Sequence, residues 1–168
     1  MILNSQENYK DKKSIIIYFS RTGENYVNGQ IKTLKVGNTE IAAKMISELT
    51  RSEMFKIEPV LEYSNDYSEC IAEAKRDQRT EARPELKEMP NNLDKYDVIY
   101  LGYPNYWGTM PMAVFTFLEH FDFSGKIIKP FCTHEGSGMG HSESDIKKLC
   151  PNAIVEKGLS IHGANVES

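Results

Sequence analysis

The stretch that decides the fold is Lys13–Thr50, which reads KSIIIYFSRTGENYVNGQIKTLKVGNTEIAAKMISELT. It opens with Ile15–Phe19, which is apolar at every position, as in strands that are buried on both faces of a parallel sheet. It closes with Asn38, the predicted N-cap of a helix that runs to about Leu49. The first amides of a helix have no intrahelical acceptor, so a strand, a loop of small residues and a helix in succession commonly bind an anion. The stretch therefore predicts a phosphate site at its turn.

The loop between this strand and this helix is longer than the two to six residues or so that such connections usually need. It contains Asn28-Gly29 between β-forming residues, which is the strongest short-range signal for a hairpin. We predict a hairpin over Tyr26–Leu34, within an insertion that spans residues 24–35. The insertion divides the predicted phosphate loop and is a candidate to flank a ligand or to form a partner surface.

The rest of the chain alternates between predicted strands and helices. The further strands are predicted at residues 54–59, 97–102, 126–132 and 153–161. The further helices are predicted to begin near Tyr67, at Thr109 as N-cap, and at a capping box over residues 142–145. Pro130 is unusual inside a strand, because proline has no amide hydrogen to donate. The first helix is predicted to turn one apolar face inward, formed by Ile41, Met45, Ile46 and Leu49.

This alternation predicts an α/β protein with a three-layer, doubly wound, five-stranded parallel sheet. We predict a single domain over residues 1–168, with a loose polar tail at residues 1–12. Such sheets bind ligands beyond the carboxyl ends of their strands. The first, third and fourth strands each run into a loop of unusual composition, so we expect one ligand to contact all three loops.

Composition excludes several classes of protein. A net charge of -4 and a pI near 5.6 argue against a nucleic-acid-binding surface. Three widely spaced cysteines predict reduced, mostly buried thiols, and no run approaches the roughly 20 apolar residues of a membrane span. We therefore expect a soluble, cytoplasmic protein. No metal site is predicted, because strong ligand spacing is absent from the candidate ligands Cys132, His134, Glu135 and His141.

The loop chemistry narrows the choice of ligand. The chain has no GxxxxGK[ST] motif and no GxGxxG motif after the first strand, which argues against P-loop and dinucleotide sites. The first loop instead offers hydroxyls and amides, which suit a phosphate monoester that is held and not transferred. The aromatic residues Tyr106 and Trp107 can stack on a planar ring, and Gly108 lets backbone amides approach its edge. A phosphate and a stacked heterocycle together indicate flavin mononucleotide (FMN).

Three motifs resemble those of the flavodoxin family, in the wide sense that includes flavodoxin-like FMN oxidoreductases. Residues 20–23 (SRTG), resumed at residues 36–39 (VGNT), resemble the family's phosphate loop. Residues 102–108 (GYPNYWG) resemble its second loop and residues 133–138 (THEGSG) its third. The resemblance covers nearly the whole chain and implies a flavodoxin-like sheet with strand order 2-1-3-4-5.

The resemblance implies that residues of these loops bind FMN, and that the flavin, not a catalytic side chain, carries the chemistry. The implied phosphate ligands are Ser20, Thr22, Asn38 and Thr39, with Arg21 and Gly37 in the same loop. The residues implied along the ribityl chain and around the ring are Pro104, Asn105, Tyr106, Trp107 and Gly108. The residues implied near the pyrimidine edge are Thr133, Glu135, Gly136, Ser137 and Gly138.

One departure from the family concerns the end of the chain. The family normally adds a final helix beside the first one, whereas here the residues after the fifth strand end at Ser168. Without that helix, we expect an apolar stretch of the sheet to be exposed there. Such exposure implies a truncated chain, a partner chain that covers the surface, or poor stability.

The function remains open between two classes. The first is a flavodoxin-type carrier that shuttles electrons between partner proteins, in a site whose few cations disfavour the anionic hydroquinone. The second is an enzyme that reduces quinones or nitro compounds with NAD(P)H, which the mild charge favours because dedicated carriers usually present a strongly acidic face. The intact hydroxyls of the first loop argue against a third, a flavin-free binding module. The expected partner is a redox protein or a small-molecule acceptor, without nucleic acid or membrane, and the chain is a monomer or a dimer.

Overall fold

The structure of the protein, a computed structural model, describes residues 12–166, so the predicted loose tail lies outside the described residues except for Lys12. The strands of the main sheet are β1 (Ser14–Tyr18), β4 (Glu53–Lys56), β5 (Val98–Pro104), β6 (Ile127–His134), β7 (Ile154–Val155) and β8 (Leu159–His162). The helices are α1 (Asn38–Thr50), α2 (Tyr67–Arg79), α3 (Met112–His120) and α4 (Ser142–Leu149). A short 3₁₀ helix covers Gly163–Asn165, and β2 (Gly23–Val27) pairs with β3 (Gln30–Leu34) in a separate two-stranded sheet.

All pairings in the main sheet are parallel, in the order β4-β1-β5-β6-β7, and β8 also pairs with β6. In terms of the predicted strands this order is 2-1-3-4-5, so the predicted topology is confirmed. Successive side chains of β1 point to opposite faces of the sheet. Ile17 packs in a core cluster with Phe117 of α3, and Ile16 packs in another with Ala43 of α1. The predicted three-layer, doubly wound architecture follows from helices on both faces.

The predicted fifth strand is interrupted. Its two parts, β7 and β8, pair with residues 127–128 and 131–134 of β6, so the break lies opposite Lys129 and Pro130. Pro130 has no amide hydrogen for the ladder. Gly158 lies close to it, since a Cβ on Gly158 would lie 3.3 Å from both Cβ and the carbonyl oxygen of Pro130. The continuous strand predicted for residues 153–161 is therefore wrong in its middle.

The prediction of which α1 side chains point inward is also wrong in part. Ala42 and Ala43 are buried against the sheet, whereas Met45 and Leu49 are 44% and 84% exposed. Small alanine side chains let the helix lie close to the strands, and this contact rotates the longer side chains outward.

Three predicted helix caps differ in the structure. The N-cap of α1 is Gly37, so Asn38 is the first helical residue. Pro111, and not Thr109, precedes α3, and the buried Thr109 hydroxyl donates instead to Oδ2 of Asp145 at 2.5 Å. The predicted capping box of α4 does not form, since its N-cap is His141, which makes no side-chain cap bond.

The face of the sheet that the family's final helix would cover is mostly closed by this chain's own side chains. The ring of Phe131 fills the space above Gly102, where a Cβ would lie 2.1 Å from its Cζ. Phe131 and Val166 are both buried. On the described strands of this sheet, the exposed large apolar side chains are Ile154 and Leu159. The exposed apolar surface predicted for the sheet is therefore limited to its β7–β8 edge.

The cysteines are free and buried, as predicted. Within residues 12–166, none of the helices combines the length and the apolar character that a membrane span requires.

Candidate functional site

A cavity of about 370 Å³ opens at the carboxyl ends of β1, β5 and β6. Its volume lies in the range of about 300–1,000 Å³ that small-molecule sites occupy. The three loops that the sequence singled out meet there. The predicted residues that line it are Ser20, Arg21, Asn38, Thr39, Pro104, Asn105, Tyr106, Trp107, Gly108, Thr133, Glu135 and Ser137.

Four predicted residues do not line this cavity. Thr22 faces a smaller neighbouring cleft of about 90 Å³. Gly37 lies directly behind the first loop, and Gly136 and Gly138 lie in the third loop with open space where a side chain would be. Their roles in cofactor binding remain predictions.

The first loop and the start of α1 form the polar end of the cavity. Ser20 Oγ accepts a hydrogen bond from the amide of Glu40 at 3.1 Å, so its own hydroxyl hydrogen remains available as a donor. The amides of Asn38 and Thr39 belong to the first turn of the helix, where no intrahelical acceptor exists. This end of the cavity therefore presents neutral donors and the positive end of a helix dipole.

A buried hydroxyl pair joins the first loop to the third. Thr39 Oγ1 and Thr133 Oγ1 are 2.7 Å apart, and both residues are buried. One of the two hydroxyl hydrogens serves this bond, which leaves the other available to a further acceptor.

Glu135 connects the hairpin to the polar end of the cavity. Its Oε2 accepts a hydrogen bond from the amide of Asn28 at the hairpin tip at 3.1 Å, and it lies 3.7 Å from Nε2 of His162. Its Oε1 is buried without a hydrogen-bond partner. A Cβ on Gly163 would lie 2.6 Å from this Oε1 and 2.7 Å from Nδ2 of Asn38, so the two side chains are neighbours. The Glu135 carboxyl group therefore lies beside the start of α1.

The second loop is held to the third by Asn105. Its Oδ1 accepts from the amide of Gly108 at 2.9 Å, and its Nδ2 donates to the carbonyl of Gly138 at 2.8 Å. Trp107 and Gly108 both have positive φ, 53° and 90°, so the loop makes a tight turn around this side chain. Asn105 thereby sets the spacing of the two loops.

The two aromatic residues of the second loop have different surroundings. Tyr106 packs edge-on against Phe19 at 5.9 Å, and its hydroxyl is buried without a partner. Burial raises the pKa of Tyr106 well above its ordinary value. Trp107 is 47% exposed, and its indole nitrogen donates to the carbonyl of Ile71 at 2.9 Å. Tyr106 therefore belongs to the buried wall of the cavity and Trp107 to its rim.

Sequence reasoning missed part of the wall. The missed residues that line the cavity are Asn25, Tyr26, Tyr67, Cys70, Ile71, Ala74, His134 and Gly163. Four of these, from α2, recur at the spacing i, i+3, i+4 and i+7, which indicates a buried helix face but not whether that face meets a core or a ligand. Tyr26 belongs to the hairpin and stacks on Tyr67 at 6.0 Å. The predicted insertion thus forms a hairpin with the Asn28-Gly29 turn, and it supplies one side of the cavity.

The comparisons with known proteins agree with this geometry. A sequence model of the flavodoxin family matches residues 13–168. No curated protein matches the chain. Among solved structures, a protein of Bacteroides uniformis ATCC 8492 that is classed as a flavoprotein is 28% identical, with a TM-score of 0.71 over 94% of this chain and 95% of that one. Another, from Bacteroides eggerthii DSM 20697, is 25% identical, with a TM-score of 0.74 over 93% of this chain and 94% of that one.

A more distant structure shares the fold alone. It is a flavoprotein of Lactobacillus acidophilus NCFM, solved in complex with FMN, which is 19% identical, with a TM-score of 0.64 over 89% of this chain and 92% of that one. The family model spans all but the first residues of the chain, and the observed strand order agrees with it. The chain belongs to the flavodoxin family.

Proposed function

We propose that this protein is a flavodoxin-type redox protein, which binds FMN non-covalently and transfers electrons through it. The observation that carries this proposal is one cavity with neutral donors and a helix N-terminus at one end and aromatic walls at the other. Bound FMN would supply the redox chemistry, and the protein would supply binding, orientation and electrostatics. The free, buried cysteines are in keeping with a reducing compartment, so we place the protein in the cytoplasm.

The cavity's own polar groups fit such a cofactor. Buried polar atoms nearly always have a hydrogen-bond partner, yet Tyr106 Oη, Arg21 Nε and Glu135 Oε1 have none within the described protein. All three residues line the cavity, so a ligand or water is the expected partner. Arg21 Nε requires an acceptor and Glu135 Oε1 requires a donor, so a ligand that carries both acceptor oxygens and donor hydroxyls, as FMN does, meets this requirement.

Each end of the cavity would have its own task. The hydroxyls of Ser20 and Thr39, with the first amides of α1, would hold the phosphate. These donors are uncharged, so they would not fully neutralise the negative charge of the phosphate. Tyr106 and Trp107 would contact the planar ring and exclude water from it. Asn105, which fixes Gly108 against the third loop, would keep the backbone amides in place around the ring's polar edge.

A threonine substitution tests the phosphate assignment. In Thr39→Val the hydroxyl is lost while the shape is kept, so FMN affinity should fall about ten- to a hundredfold, as for a lost hydrogen bond to a charged group. Riboflavin, which lacks the phosphate, should lose less than about threefold. The measurement is fluorescence quenching during titration of the purified apoprotein with each flavin.

The matched control is Thr50→Val at the other end of the same helix, where the exposed hydroxyl bonds the carbonyl of Ile46. It should leave both affinities unchanged. Equal losses of FMN and riboflavin in Thr39→Val would contradict the phosphate site, and a wild-type protein that quenches neither flavin would contradict the proposed function.

A second candidate function is an NAD(P)H-dependent reductase of quinones or nitro compounds. The observation that favours it is the hairpin, since Asn25 and Tyr26 add a wall to the cavity and the tip bonds Glu135. A site with an added wall suits a small acceptor better than a protein surface that must approach the flavin edge.

The FMN-loaded protein distinguishes the two candidates. A reductase should oxidise NADPH or NADH steadily with a quinone present and no partner protein, faster than free FMN at the same concentration. A rate equal to that of free FMN would leave the carrier as the function, with a redox protein as its partner.

A further inference from the structure

The side chain of Arg21 is placed differently from the rest of the phosphate loop. Its Nη1 donates to the carbonyl of Glu24 at the base of the hairpin. Its Nη2 donates to the carbonyls of Ser64 and Asn65, at 2.8 and 3.1 Å, in the segment that precedes α2. The guanidinium group therefore lies between the base of the hairpin and the segment that precedes α2.

The positive charge of Arg21 lies beside this cavity and beside the smaller neighbouring cleft, both of which the residue lines. Its Nε is buried and has no hydrogen-bond acceptor, although the residue lines the cavity. Within residues 12–166, the ion pairs of the structure do not include Arg21. Its neighbours there are Tyr67, Cys70 and Tyr106. Burial raises the pKa of each of these groups, and the charge of Arg21 opposes the rise. The part of the cavity nearest to Arg21 is therefore lined by aromatic and thiol side chains, and the charge of Glu135 also acts on Tyr67 there.

We propose that Arg21 is a positioning charge that stabilises the fully reduced, anionic flavin and so raises the flavin's reduction potential. The inference rests on the proposed function, because it requires a bound flavin. When the neutral oxidised ring takes up two electrons and one proton, it gains one net negative charge. The electrons come from the reduced partner protein or from NAD(P)H, and the proton comes from solvent. A fixed cation stabilises that charge and has little effect on the neutral ring.

The loop sequences, which contain few cations, predict a site that disfavours the anionic reduced form, and the role of Arg21 is the opposite. The structure brings the charge of Arg21 close enough to Tyr67 and Tyr106 to act on both, although its neighbour Ser20 belongs to the polar end. A single charge several ångströms away, at an effective dielectric constant of about 20, changes an equilibrium constant about ten- to a hundredfold.

The alternative is that Arg21 acts only as a clamp between the hairpin and α2. Its three carbonyl bonds are sufficient for that role. A clamp would affect oxidised and reduced flavin alike, whereas a tuning charge would affect the reduced form selectively. The ratio of the dissociation constants of oxidised and reduced flavin therefore separates these roles. Through a thermodynamic cycle, the same ratio also gives the shift in the reduction potential of the flavin.

The experiment measures the dissociation constants of oxidised and anaerobically reduced FMN for wild type, Arg21→Gln and Arg21→Lys. In Arg21→Gln, reduced FMN should lose at least about tenfold more affinity than oxidised FMN. Arg21→Lys keeps the charge but not the planar donor set, so both affinities should fall while their ratio stays within about threefold of wild type. The control is Arg83→Gln, another arginine that donates to backbone carbonyls but lies outside the cavity, and it should change neither constant.

The outcomes are distinct. An unchanged ratio in Arg21→Gln, with FMN still bound, would overturn the tuning role and leave the proposed function intact. If Arg21→Gln does not fold, a tenfold change of the ratio in Arg21→Lys would overturn the inference by itself. Failure of the wild-type protein to bind FMN in either form would overturn both.

Discussion

A Gly37→Ala variant is expected to bind FMN at least about a hundredfold more weakly than wild type while it keeps most of its affinity for riboflavin. A Cβ at this position would lie 2.2 Å from Ser20 Oγ, 2.5 Å from the carbonyl oxygen of Arg21 and 2.9 Å from the amide nitrogen of Arg21. Two of these contacts are with backbone, so the first loop must move away from α1. That movement would break the bond from the Glu40 amide to Ser20 and open the polar end of the cavity.

The same variant should lose about 1–3 kcal/mol of its free energy of unfolding, the usual cost of inserting a methylene into a filled space. Urea denaturation measures the loss, and the two flavin titrations measure the selectivity. The φ of Gly37 is -68°, so alanine brings steric conflict without backbone strain. Unchanged FMN binding in a folded Gly37→Ala protein would show that the phosphate is held elsewhere.

A Gly140→Ala variant is expected to lose FMN and riboflavin together, each by at least about thirtyfold. Its Cβ would lie 2.1 Å from the carbonyl oxygen of Gly108 and 2.9 Å from the Cα of Gly108. His141 donates its amide to that same carbonyl at 2.7 Å, so the backbones of the second and third loops are in direct contact. Alanine would also be strained, because φ is 57° at this position. The loops must separate, and separation affects the ring end of the cavity that both flavins share.

The control for strain is Gly125→Ala, whose φ is 76° but whose Cβ would have no neighbour within 4 Å. It should lose about 1 kcal/mol of stability and no flavin affinity. Titration of both flavins into each variant gives the comparison. If Gly140→Ala weakened FMN alone, the assignment of the ring to the second and third loops would be wrong.

Local patterns were sufficient for much of this protein. The apolar run of β1 specifies a strand buried on both faces, and Asn28-Gly29 specifies a two-residue turn because few other pairs adopt two positive φ values. The strand order followed from the family resemblance and is confirmed by the pairings. The loops after β1, β5 and β6 could be singled out because the carboxyl ends of parallel strands meet at one edge.

Other features depended on contacts between distant residues. Thr109 looked like a helix cap, yet its hydroxyl bonds Asp145, which lies 36 residues away. Met45 and Leu49 share a helix face with Ile46, but the close approach of Ala42 to the sheet decides which part of that face is buried. Such outcomes follow from how two elements pack, which a local period does not encode.

The sequence by itself determined the class of fold and the three loops that meet at the cavity, because strand periodicity, turn residues and helix starts are local properties. Only the tertiary structure decided that α2 and the hairpin wall the cavity, that Glu135 lies beside Asn38, and that Arg21 bonds the base of the hairpin and the segment before α2. The direction of a long side chain depends on which carbonyls surround it, and those of Ser64 and Asn65 come from a segment 43 and 44 residues away.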